Sequence, residues 1–170
     1  PLDPRVGRMI LEARARESLD EVLVIASALS VQDVRDRPMD MQAQADQAHA
    51  KFDDDRSEFS GYLTLWKWIN DAKGGEGTHK LSNRQYEQLL RQNFVNIRRV
   101  REWRDIYSQL HTVVAEHKWR LNAAPASYEQ IHLSMLSGLL GNIGWKTEGD
   151  EGAHTEYLGA RGIKFHGPQG

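Results

Sequence analysis

The sequence predicts a mainly α-helical protein: a helical bundle followed by the first strands of a small β unit. Three observations carry that prediction. Apolar residues recur at spacings of three and four through most of the first 140 positions. A serine is followed three residues later by Glu or Gln at Ser18/Glu21, Ser82/Gln85 and Ser127/Gln130, the pattern of a helix capping box. After Gly141 the helical period stops, and short apolar runs alternate with glycines. We divide the chain into a bundle over 1–126 and, over 127–170, a connecting helix with the start of the β unit.

Asp3 before Pro4 marks a helix start, and Val6, Met9, Ile10 and Ala13 form its apolar face. Ser18 and Glu21 open a second helix through Val22, Leu23, Ile25, Ala26 and Leu29, expected to pack antiparallel to the first. Pro38 breaks the pattern, because the residue before proline avoids helical dihedrals. Met39 to Lys51 is rich in Gln, Ala and Asp, and reads as a weak surface helix or a mobile linker. Asp53-Asp54-Asp55 reads as a solvated turn that caps the next helix. Phe59, Tyr62, Leu63, Trp66 and Ile69 form the stripe of that helix, with Leu65 and Trp68 off it and free to meet a second neighbour. The Gly-rich 73–80 segment is a loop. Ser82 and Gln85 open a helix through Tyr86, Leu89 and Leu90. The longest helical run extends from about Phe94 to His117, with Val100, Trp103, Ile106, Tyr107, Leu110, Val113 and Val114 on one wide apolar stripe. Ser127 and Gln130 open the last helix, through Ile131, Met135, Leu136, Leu139 and Leu140. Ile143–Lys146, Tyr157-Leu158 and Ile163–Phe165 read as short strands, too few to close a sheet.

With 170 residues, 39% of them hydrophobic, the chain is long enough for one well-buried core and too apolar to be wholly disordered. No apolar run approaches the roughly 20 residues of a membrane-spanning helix, so no membrane partner is expected. The absence of cysteine excludes disulfides and thiolate metal sites and fits a reducing, cytoplasmic setting. A net charge of -2 conceals local basic surface. The opening Pro1-Leu2-Asp3-Pro4 lacks an initiator methionine, and we expect a piece of a longer protein.

Little in the chain supports independent catalysis. Gly74 to Leu81 resembles a phosphate-binding loop only superficially: His79-Lys80-Leu81 stands where Gly-Lys-Ser/Thr is needed to cradle phosphate and hold magnesium. Asp150-Glu151-Gly152-Ala153-His154 is an interrupted acidic box in a polar loop, not at the end of an apolar strand. His111 and His117 are six apart, off the i, i+4 pairing of helical metal ligands. We therefore assign no catalytic residue, no metal site and no cofactor to these residues. The informative feature is a basic run. Between Arg84 and Arg104 stand six arginines (84, 91, 98, 99, 101 and 104) against Glu87 and Glu102. Arginine offers a planar fork of donors to phosphate and stacks on bases. Asn93 and Asn96, just before the long helix, can cap it or read polar edges. From charge alone two readings stand: a solvated helix face whose arginines pair with nearby acids, and a surface that tracks a nucleic-acid backbone.

Five pieces in register extend the argument. They are Pro1–Arg5 with Met9-Ile10; Glu21–Ile25 through Ala28–Val31 and Arg37-Pro38; Lys51-Phe52 through Ser57–Phe59 and Leu65-Trp66; Asn93–Asn96 with Arg101–Ile106 and Gln109-Leu110; and Ile131 with Leu136–Leu140 and Asn142–Gly144. Together they resemble the C-terminal helicase-associated region of DEAH-box RNA helicases of the bacterial HrpA type. The resemblance implies a ratchet-like helical bundle followed by the first strands of a truncated OB-fold. It also implies a parent protein whose two RecA-like domains use ATP and magnesium to pull single-stranded RNA. The long helix would touch the moving strand, with Arg98 and Arg101 foremost, then Arg91, Arg99 and Arg104; Asn93 and Asn96, placed just before the helix, complete the candidate RNA contacts. Many eukaryotic members carry arginine where Tyr107 stands, so that contact is not carried over. The expected partners are single-stranded RNA and the parent's RecA-like domains, and the expected state is a monomer. The alternative is a protein-interaction module that docks partners or the motor domains without touching RNA.

Overall fold

The structure, a computed structural model, describes residues 3–74 and 80–141. Among these residues there are seven α-helices: α1 (Pro4–Ala15), α2 (Leu19–Leu29), α3 (Gln42–His49), α4 (Glu58–Ala72), α5 (Asn83–Gln92), α6 (Ile97–Glu116) and α7 (Tyr128–Leu140). Short 3-10 turns at Met39–Met41 and Ala50–Phe52 flank α3. No named strand occurs among the described residues; one isolated antiparallel bridge joins Arg35 to Val95. The predicted strands at Ile143–Lys146, Tyr157-Leu158 and Ile163–Phe165 lie outside the described residues. No described helix is long and apolar enough to cross a membrane.

Helix α2 is the centre of the bundle. It is apolar on almost every side, as a helix surrounded by others must be, and α1, α4, α6 and α7 pack around it. Val22, Leu23, Ile25 and Ala26 are completely buried. The largest core side chain, Trp103 of α6, reaches α2: its indole N–H donates to the Val24 carbonyl at 3.1 Å and to the Ser27 hydroxyl at 3.0 Å. That contact satisfies the only polar atom of a fully buried ring. Trp66 of α4 packs at a tilt against Trp103 and Tyr107, each with ring centroids 4.8 Å apart.

Helix α7 closes the bundle along α1. The two backbones meet at Gly138, where a Cβ would lie 2.6 Å from the Met9 nitrogen; only glycine permits the approach. Arg8 then donates to the Gly138 carbonyl at 3.1 Å.

The structure corrects several local expectations. Ser18 precedes α2 but makes no side-chain cap. Its hydroxyl is paired with that of Ser134 on α7 at 2.9 Å, and Glu21 instead accepts from the Ala126 N–H at 2.8 Å and from the Asn122 amide. Burial against α7 has redirected Ser18, and the segment before α7 supplies the donors that take Glu21. The aspartate triplet forms a turn, in which Asp54 accepts from the Arg56 N–H at 2.8 Å, yet α4 is capped by Ser57, which accepts from the Ser60 N–H at 3.3 Å. Of the two forms expected for the stretch after Pro38, the structure shows the helical one over 39–52, anchored by Ala45, His49 and Phe52, all buried. Leu65, expected off the stripe of α4, is completely buried because α4 packs on α2 and on the Ala50–Phe52 turn at once. Trp68 meets that second neighbour, with its ring 5.0 Å from Phe52.

Candidate nucleic-acid interface

The basic run folds as two helices joined by a tight turn. Ser82 and Gln85 form the expected capping box and start α5. Helix α5 ends at its C-cap Asn93, and Phe94 takes a left-handed φ of +54°, so the long helix starts at Ile97, three residues later than the sequence pattern suggests. Backbone pairing fixes the turn against the segment after α2: the Asp36 N–H donates to the Phe94 carbonyl at 2.8 Å and the Asn96 N–H to the Val34 carbonyl at 2.7 Å. The His49 ring also donates to the Phe94 carbonyl, at 2.9 Å. Helix α6 then starts with Asn96 as its cap, accepting from the Arg99 N–H at 3.1 Å.

This frame sorts the predicted residues by what they touch. Arg98 and Arg91 are exposed and have no ion-pair or hydrogen-bond partner among the described residues. Arg101, one helical turn beyond Arg98, reaches back to Glu87 of α5 at 3.0 Å, an exposed pair of small net worth. Arg104 is turned inward. It donates to the Tyr86 hydroxyl at 2.7 Å, that hydroxyl donates to the Ile69 carbonyl at 3.0 Å, and the guanidinium lies 5.5 Å from the Tyr86 ring centre. Burial pushes the Tyr86 phenol above its ordinary range, and Arg104 pulls the other way. Arg99 is tied down as well, to the Asp36 carboxylate at 3.1 Å and the Asp33 carbonyl at 3.0 Å. Asn93 donates to the Leu89 carbonyl at 2.9 Å and accepts from Lys51. Asn96 caps α6 and its amide faces Asp36 at 3.5 Å. Thus Arg99, Arg104, Asn93 and Asn96, expected as contacts, each make hydrogen bonds within the fold.

Two features were not in the predicted site. Arg84, in the first turn of α5, is exposed and has no partner among the described residues. Its place in the basic run was the signal. The second is a groove of about 970 Å³ between the α5–α6 turn and the segment 35–41, with Arg35, Arg37, Arg91 and Arg99 against Asp36 and Glu87. Arg35 lies at its base. Burial works to lower the Arg35 pKa, but the hydrogen bond to Asp33 and the charge of Glu58 outweigh it and hold the guanidinium firmly protonated. Nothing in the local sequence signals this groove, which forms only because 34–36 pairs with 94–96.

The charges have a direction. Neither α5 nor α6 has an acid in its first turn, and arginines 84, 98 and 99 stand there instead. Cations at a helix N-terminus oppose the macrodipole, at a cost of about 0.3–1 kcal/mol each when exposed. Past Arg104, the exposed side of α6 carries Asp105 and Glu116 and no further cation before the helix ends. Among the described residues no cluster of three or more His, Asp or Glu residues could hold a metal ion.

Known proteins match this chain closely. The family described as helicase-associated domain (HA2), ratchet-like, matches residues 3–64. The ATP-dependent RNA helicase HrpA of Escherichia coli is 42% identical over 165 residues, 97% of this chain. Its homolog in Haemophilus influenzae is 39% identical over the same share. The Arabidopsis thaliana DExH-box ATP-dependent RNA helicase DExH3 is 33% identical over 79 residues, 46% of this chain and 6% of its own length. This chain spans 12% of the length of each of the two bacterial relatives. Sequence, helical architecture and relatives agree: the chain belongs to the helicase-associated region of the HrpA-like DEAH-box helicases.

Proposed function

We propose that this chain is a non-catalytic part of an ATP-dependent RNA helicase and that it guides single-stranded RNA across the exposed arginines of α5 and the first turn of α6. One observation carries the proposal. Within a basic run where Arg99 and Arg104 are bound internally, Arg91 and Arg98 stand exposed without partners among the described residues, and Arg101 is held only by an exposed pair. The RNA helicase relatives supply the substrate class. ATP and magnesium belong to the parent's RecA-like domains, which do the pulling; this unit holds the strand as a monomer within that cytoplasmic parent. Contacts go mainly to phosphate, so affinity in isolation is weak and falls with salt. The test is fluorescence anisotropy of a labelled single-stranded RNA at low and moderate salt. The Arg98→Ala/Arg101→Ala variant loses roughly tenfold or more in affinity; unchanged binding overturns the site.

A second reading has its own support. Met39 is 91% exposed and Met41 39% exposed, beside the groove. Apolar side chains so placed suit docking onto the parent's own domains. Partners that resist nuclease and ignore the arginine substitutions favour it.

A further inference from the structure

Resting on the RNA-holding reading, we infer that the strand lies along α5, on a line of donors from Lys80 through Arg84, Gln88 and Arg91 to Arg98, and not along the length of α6.

The two helices present opposite electrostatics. Arg84, Gln88 and Arg91 follow one another at spacings of four and three, so they form one ridge of α5. All three are exposed, and neither arginine has a partner among the described residues. Arg84 and Arg91 are separated by about 10.5 Å along the axis at 1.5 Å per residue. Lys80 is exposed just before the cap at one end, and Lys73 lies 5.7 Å from the Tyr86 ring on the inner side. Arg98 follows past the turn, one helical turn before Arg101, whose contact with Glu87 sets the start of α6 beside this ridge. The one carboxylate of α5, Glu87, accepts from Arg101 at 3.0 Å and is thereby neutralised. A polyanion on this ridge meets guanidinium forks and amides. The amides of Gln88 and Gln92 can donate to, or accept from, base edges, which suits an unpaired strand whose bases are open.

The exposed side of α6 is the reverse. Glu102, Asp105 and Glu116 are exposed along it, and none has an ion-pair partner among the described residues. A phosphate backbone laid along this helix would leave its exposed cations behind after Arg101 and run past three carboxylates. Crossing α6 at its N-terminal turn avoids them all. Arg91 also lines the groove of about 970 Å³ together with Phe94, which gives the strand a recess at the point where it leaves α5.

The experiment titrates a labelled oligouridylate with the full chain at several salt concentrations. Arg84→Gln and Arg91→Gln remove no internal partner, and circular dichroism verifies that their helix content is retained. Each is expected to weaken binding roughly three- to tenfold and to reduce the slope of log affinity against log salt by about 0.7. Gln88→Glu weakens binding as well, whereas Glu102→Gln and Asp105→Asn leave it within about twofold of the parent. If the α5 variants bind like the parent and the α6 acid variants bind tighter, the strand follows α6: the inference fails and the RNA-holding reading survives. If the unmodified chain binds no RNA, both fail. Displacement of the RNA by an acidic peptide at lower concentration than by unlabelled RNA assigns the ridge to a protein partner and overturns the inference.

Discussion

Arg98 and Arg99 are neighbours in sequence with opposite roles. Arg99 bridges Asp36 and the Asp33 carbonyl, so Arg99→Ala leaves those acceptors without their donor; a loss of about 1–2 kcal/mol is expected. Arg98→Ala is expected to stay within about 0.5 kcal/mol of the parent. Urea denaturation of the two variants checks the contrast. His132 gives a second prediction at this scale. Its Nδ1–H donates to the Tyr128 carbonyl at 2.7 Å, which leaves Nε2 to accept from the Ser57 hydroxyl. Burial holds its pKa below the ordinary value of about 6.5, against that backbone hydrogen bond. A histidine lowered on folding binds more protons unfolded than folded once the pH falls below about 6.5. Stability is therefore full above that pH and declines as the pH drops toward the folded value. Denaturation midpoints between about pH 7.5 and 5 should show this decline, and His132→Gln should flatten it. Neither role is legible in the sequence. The partners of Arg99 lie 63 and 66 positions away and the hydroxyl facing His132 lies 75 away, so no local spacing marks them.

Helices were the most legible feature, because apolar spacing and caps are local. Asp3, Ser82 and Ser127 cap as their sequences imply, and the stripes of α1, α6 and α7 face the core. Ser82→Ala should cost about 1 kcal/mol through the lost Gln85 N–H contact, measured by thermal melting. RNA affinity should fall with it, since α5 carries Arg84 and Arg91. Ser18 has the same kind of capping-box signature, with Glu21 in place of Gln, but faces α7, so Ser18→Ala should lack a cap's cost. Glu21→Ala should be worse, because it strips the Ala126 N–H and the Asn122 amide of their acceptor. The capping signature was the same; the neighbouring helix made the difference. The stretch 39–52 left helix and linker both open for the complementary reason: its own sequence has few apolar residues, and Ala45, His49 and Phe52 acquire a core only from the chain around them.

Across the molecule, one close contact closes the bundle and one asymmetry orients it. Gly138→Ala would drive a methyl against the Met9 backbone, and it should lower the melting temperature by separating α1 from α7. Helix content should survive, since the caps at Asp3 and Ser127 on the two separated helices are untouched. The asymmetry sets free cations on α5 and the start of α6 against acids further along α6. Composition, helical spacing and capping residues were enough to specify a helical bundle with an arginine-rich stretch. Such patterns act between residues within one turn of each other, and a single chain read in order contains them. Which arginines remain free to meet a ligand was settled only on folding. A guanidinium is satisfied by whichever carboxylate, carbonyl or hydroxyl packing brings within about 3 Å, and those groups came from distant parts of the chain.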